Sequence, residues 1–214
     1  MEKVSIYILL FVLVTSCEFG KKVYSIDDYH VFMNNPENGY TLSKTTNGVE
    51  VNLKFLTSDY LAYKDFKELG FETSIQYDSL CKEYEKSFTF FLTISPNENK
   101  MESGVENGVM MKDIYKIEDF KERAINMNFS MGEYIQLRNK EASIHPVLTN
   151  LENTYEVVSG KSIYVVFSKE MIDNQLKEGK EIEFVYNDEL FDSGISVFSF
   201  KKELFENTPS IILN

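Results

Sequence analysis

The sequence predicts an α+β domain, mainly an antiparallel β-sandwich of about eight short strands with three or four helices inserted in the connections. Three observations carry this expectation. Short β-branched and aromatic segments alternate apolar and polar residues with period two, most clearly Val49-Glu50-Val51-Asn52-Leu53-Lys54-Phe55. Between them lie stretches with apolar residues at threefold and fourfold spacing, opened by Ser and closed by Gly. No repeat, low-complexity tract or long linker divides the chain.

In chain order, Ser25 reads as the N-cap of a short helix reaching about Met33, with Asp27 and Asp28 complementing the positive end of its dipole. Asn34 to Gly39 ends it as a turn. An oxygen-rich calcium loop is a poor reading there, because Pro36 stands where a ligand is needed and no bidentate Glu follows at the right distance. Tyr40 to Lys44 and Val49 to Phe55 flank Asn47-Gly48, a pair that readily adopts positive φ and closes a hairpin. Ser58 opens a helix to Leu69 with Tyr60, Tyr63, Phe66 and Leu69 on one stripe and Gly70 as its stop. Ser87 to Ser95 is the strongest strand, with Phe88, Phe90, Leu92 and Ile94 on one face and Pro96 closing it. A polar loop runs from Asn97 to Gly108.

Ile117 to Met127 returns to helix, and Asp119 is spaced to pair with Arg123. Strands follow at Tyr134 to Arg138, at Ile144 to Leu148, at Ser162 to Phe167, at Glu181 to Tyr186 and at Ile195 to Phe200. Pro146 marks an edge or a bulge in the second of these. Ser168 caps a helix through Lys177, ended by Gly179, in which Asp173 and Lys177 are spaced to pair. Ile211-Ile212-Leu213 supplies a last short strand.

The 214 residues carry 22 Lys+Arg against 34 Asp+Glu, a formal net charge of -12. A nucleic-acid binder is disfavoured, since affinity for a polyanion comes mainly from cations displacing its counterions and no window holds a basic patch. The two histidines, His30 and His145, lie far apart in sequence and no H-E-x-x-H or C-x-x-C motif exists, so no zinc site is expected. Nor do glycine-rich phosphate loops or G-x-S-x-G contexts appear. The expectation is a chain with no cofactor, no metal and no catalytic residue. Met101, Met110, Met111, Met127 and Met131 lack the short repeats of copper-handling segments and read as gap-filling residues. Cys81 has only Lys82 nearby to lower its pKa, so it reads as an inert thiol.

The amino-terminal region is the most specific part of the chain. Val4 to Val14 is an apolar run, too short for a membrane-crossing helix, that follows Lys3 and precedes Thr15-Ser16-Cys17. Val14-Thr15-Ser16-Cys17 resembles the lipobox of bacterial lipoproteins. The resemblance implies that residues 1–16 are a lipoprotein signal peptide and that Cys17 is lipidated. Residues 17–24 then form a short tether and residues 25–214 a single globular domain. The palmitate-type acyl chains that the family carries would anchor the protein stably, since two signals hold where one does not. In that family an aspartate just after the cysteine favours retention at the inner membrane. Glu18 stands there instead, which points to the outer membrane, with the periplasmic or surface face open. Lipidation of Cys17 leaves Cys81 alone, so no internal disulfide is expected.

The remaining compositional signal is aromatic, 13 Tyr and 17 Phe. Tyr24, Tyr29, Tyr40 and Tyr186 are candidates for an interaction surface, because tyrosine carries apolar area with a polar tip. The competing reading puts them in the core. A lipobox followed by an acidic domain rich in Lys, Asn, Tyr and Phe is similar to uncharacterised outer-membrane lipoproteins of Bacteroidota, a resemblance that confers no activity. The expected function is a lipid-anchored, non-enzymatic binding or scaffold module for a protein partner in the cell envelope. Two rival readings remain: an immunity-type inhibitor of a basic toxin, and a carboxylate-dependent envelope hydrolase.

Overall fold

A computed structural model describes residues 22–97, 108–152 and 159–213. The apolar run, the lipobox with Cys17 and most of the 97–108 loop lie outside the described residues. The elements run β1 (Val23–Tyr24), α1 (Ile26–Asn34), β2 (Thr41–Thr46), β3 (Val49–Leu56), α2 (Ser58–Glu68), α3 (Ser74–Tyr84) and β4 (Ser87–Pro96). They continue with α4 (Ile117–Phe129), β5 (Ile135–Arg138), β6 (Ser143–Ile144), β7 (Leu148–Leu151) and β8 (Lys161–Ser168). The chain closes with α5 (Lys169–Gln175), β9 (Glu181–Asp188), β10 (Gly194–Lys201), α6 (Glu203–Glu206) and β11 (Ser210–Ile211).

The chain is α+β. In place of about eight strands in one sandwich, eleven strands among the described residues form three sheets. A five-stranded antiparallel sheet has the order β2-β3-β4-β8-β7, and a four-stranded one the order β10-β9-β5-β6. The third sheet is a two-residue parallel pair, β1 with β11, which ties the first described residues to the last.

The expected hairpin forms as its residues require. Thr46 pairs with Val49 across a two-residue turn in which Asn47 and Gly48 both have positive φ. Val49, Val51, Leu53 and Phe55 point inward and are buried. Phe90 on β4 meets Phe184 on β9 at 5.2 Å and Phe200 on β10 at 5.4 Å between ring centroids, so the two larger sheets share one core.

Four sequence expectations change. Helix α3 lies in a stretch without a clear apolar stripe. It is started by Thr73, whose side chain accepts from the Gln76 amide while Gln76 reaches back to the Thr73 amide. It packs on α2 through Phe66 and Tyr77, which turns the α2 stripe so that Leu61, Ala62 and Phe66 are buried and Leu69 is exposed. The Ile144 to Leu148 strand is two strands in different sheets, β6 and β7. Pro146 stands between them, where its missing N–H costs no ladder bond. Lastly, α5 stops at Gln175, before Asp173 and Lys177 can pair along it, and Arg123 turns from Asp119 to backbone carbonyls.

Candidate functional site

A cleft of about 650 Å³ opens at the end of the two larger sheets where β3 and β8 finish and β4 and β9 begin. Its floor is a cluster of three rings. Phe205 of α6 packs against Phe55 of β3 at 4.8 Å and against Phe88 of β4 at 4.7 Å, extended by Ile172, Leu176 and Ile182. The period-two pattern of β3 and β4 aims Phe55 and Phe88 inward. The sheets end here, so only α5 and α6 close over the rings, and both are short.

Charged side chains of both signs ring the cleft. Lys169, Asp173 and Lys177 come from α5 and the residues just after it, Glu85 from the turn into β4, and Lys202 and Glu206 from the α6 region. Lys202 is already occupied, since its ammonium donates to the carbonyl oxygens of Leu176, Lys177 and Glu178 and so caps the C-terminal end of α5. Glu85, Lys169, Asp173, Lys177 and Glu206 form no ion pair or side-chain hydrogen bond with any described residue. Three lysines balance three acids around this rim, in a chain whose net charge is -12.

The tyrosines singled out from sequence are placed elsewhere. Tyr29, Tyr40 and Tyr186 are only 1%, 3% and 0% exposed, a correction to their reading as a surface. Each is buried because its hydroxyl has an internal partner. Tyr29 bonds Thr57 Oγ1 at 2.7 Å, Tyr40 donates to the carbonyl oxygens of Leu204 and Asn207, and Tyr186 donates to Asp188 Oδ1 at 2.8 Å. Tyr24 is half-buried against Phe32. The four do not form one surface.

Two further polar sites come from the fold. Asp188 is buried and accepts from the Tyr186 hydroxyl, from the amides of Leu190, Phe191 and Ser193, and from the Ser193 hydroxyl. Lys112, also buried, donates to the Phe191 carbonyl at 2.9 Å, and the Arg123 guanidinium lies over the Phe191 ring. This network holds the β9–β10 connection onto α4, and every bond in it is internal. His145 sits in a second cleft with Phe129, Pro146, Val147 and Leu148. Its Nδ1 lies 3.0 Å from the Ile135 carbonyl oxygen and 3.2 Å from that of Gly132, both acceptors, so Nδ1 donates.

Cys81 lies half-buried between α2 and α3, beside Tyr77. Burial first, then the Asp59 carboxylate, pushes its thiol up from 9.0 to about 11. His30 packs edge-on against Tyr29 and Tyr60, and burial and the neighbouring Lys54 hold its imidazole below its ordinary value. Among the described residues no group of three His, Cys, Asp or Glu side chains is placed to hold a metal ion. The ring floor and its rim were not foreseen. Phe205, Glu206 and Thr208 carry no periodic signal, and the rim unites residues as far apart as Phe55 and Thr208.

No family model matches the chain, and no curated protein matches it. It is similar to a solved structure from Burkholderia pseudomallei K96243, described as a novel protein of unknown function. That similarity has a TM-score of 0.37 at 9% identity, over 85% of this chain and 88% of that one. A likeness so low carries no argument about function.

Proposed function

We propose that this chain is a lipid-anchored lipoprotein of the cell envelope, held through Cys17 in the outer membrane, and that it acts as a non-enzymatic binding or scaffold module for a protein partner. The observation that carries the reading is the cleft over Phe55, Phe88 and Phe205, ringed by charges of which five form no ion pair or side-chain hydrogen bond with any described residue. Concave apolar surface with a few convergent polar groups is the usual form of a binding site. The two larger sheets, joined through Phe90, Phe167, Phe184 and Phe200, make a sandwich-like support that meets the floor where Phe90 packs on Phe55 and Phe205. Lipid supplies the anchor in this reading. No helix among the described residues is long and apolar enough to cross a membrane.

The first described residues lie at the same end of the molecule as the cleft. Val23 pairs with Ser210, two residues beyond Thr208 on the rim. A segment from Cys17 to Lys22 spans at most about 18 Å when fully extended. A bilayer holding the Cys17 lipid would therefore lie close to the cleft, and a partner reached through it would be membrane-proximal.

Labelling cells with a fatty-acid probe tests the anchor. The wild-type chain is expected to take up label and Cys17→Ser to take up none; equal labelling of the two would overturn it. A photo-crosslinking residue at position 177 tests the module and is expected to capture a defined protein in cells. Turnover of an envelope polymer by the purified chain, abolished by a single carboxylate substitution, would replace the binding reading with a hydrolase.

A further inference from the structure

We propose that the cleft recognises a peptide segment with an aromatic or large aliphatic anchor flanked by one acidic and one basic residue. This rests on the reading of the chain as a binding module and specifies what its site selects.

The anchor follows from the floor. Phe55, Phe88 and Phe205 lie with ring centroids within 6 Å of one another. Phe55, Ile172, Leu176 and Ile182 are themselves buried and form the bed on which the Phe88 and Phe205 rings rest. Phe88 and Phe205 are only part-buried, so apolar area remains for a ligand side chain to cover. An aromatic side chain suits such a bed because offset and edge-on ring contacts add to plain area burial.

The flanking charges follow from the rim. An all-acidic segment meets Glu85, Asp173 and Glu206 as well as the general field of a chain with net charge -12. An all-basic segment is drawn by that field but meets Lys202 and also Lys169 and Lys177, neither of which is paired with an acid among the described residues. Only a segment carrying both signs finds an opposite charge for each of its own. Placing like charges together is the means by which an interface rejects a wrong partner.

The test uses the full-length chain carrying Cys17→Ser and reads the methyl NMR signals of Ile172 and Ile182. These line the floor. The probes are capped pentapeptides with a central Phe flanked by Glu and Lys, by two Glu or by two Lys, together with a Glu/Lys peptide whose centre is Ala. The Glu/Lys peptide with Phe is expected to bind about tenfold more tightly than each of the others. In the double variant Lys169→Glu, Lys177→Glu the preference is expected to move to the Lys/Lys peptide. In Glu206→Lys it is expected to weaken toward the Glu/Glu peptide. These are solvent-facing substitutions, and a merely structural role would not change which peptide is preferred.

Equal affinity for the three charge patterns, no response at Ile172 and Ile182 to any peptide, or an unaltered preference in the variants would overturn the proposal. So would tighter binding of hexyl phosphoethanolamine than of every peptide, which would mark a lipid-type ligand. Protein capture by the crosslinker at position 177 separates the outcomes. Capture with no peptide selectivity removes the proposed ligand chemistry and leaves the binding module standing.

Discussion

Asp188 shows how one carboxylate can determine the path of a loop. Its two oxygens take three backbone amides and two hydroxyls from residues 186–193, and it is only 6% exposed. Removing it leaves those donors buried without an acceptor, which costs far more than the net value of the bonds themselves. Asp188→Ala is therefore expected to lower stability by about 2–4 kcal/mol in urea unfolding, whereas Glu189→Ala, at an exposed position on the same turn, should change it by less than about 0.5 kcal/mol. Equal effects for the two would remove Asp188 from this role. In the sequence Asp188 stands in a short run, Asn187-Asp188-Glu189, with no pattern to mark it. Nothing local shows that its neighbours' amides converge on it, because that depends on where the β9–β10 connection is pinned by Lys112.

At the scale of elements, α3 is a helix specified by its cap more than by its faces. Tyr77 is its one buried residue, and Ile75 is 79% exposed. What holds it is the reciprocal Thr73 and Gln76 bonding, together with hydrogen bonds from the Tyr77 and Tyr84 hydroxyls to Asp59 and Asp65 on α2. Thr73→Ala is expected to cost about 1 kcal/mol and to loosen α3 selectively, seen as faster amide hydrogen exchange at Leu80 to Tyr84. Unchanged exchange there would show that the α2 contacts suffice. Strands with strict alternation, β3 and β4 above all, were legible because period two is a local property of the chain. Helix α3 was missed because its signal is a cap and a set of partners, and the division at Pro146 was missed because sheet membership depends on the partner strand.

Over the whole molecule, buried hydroxyls and a half-buried thiol couple stability to alkaline pH. Burial, with a smaller contribution from Tyr24, pushes Tyr40 up from 10.0 to about 12, and Cys81 rises from 9.0 to about 11. Tyr29, Tyr60, Tyr77, Tyr84 and Tyr186 are raised as well, in each case first by burial. In each group the folded value lies above the unfolded one, so the folded state holds protons that the unfolded state has lost. That stability is present in full below about pH 9 and is lost as pH rises through the range from 9 to 12. The melting temperature is expected to fall steadily from pH 9 to 11.5, with the tyrosinate absorbance of the buried tyrosines appearing on unfolding. A flat melting temperature across that range would contradict the burial of these groups.

The α+β class, the Asn47-Gly48 hairpin, the inward faces of β3 and β4 and the lipobox resemblance at Cys17 are legible without any structure. Each of these is a matter of residue type at short spacing. It took the folded chain to show that Tyr29, Tyr40 and Tyr186 are internal, that residues 143–151 divide between two sheets, and that Phe55, Phe88 and Phe205 meet beneath a rim of lysines and acids. The reason is physical. A hydroxyl is buried only when a distant partner accepts its hydrogen bond, and a cleft exists only where separate elements stop short of one another.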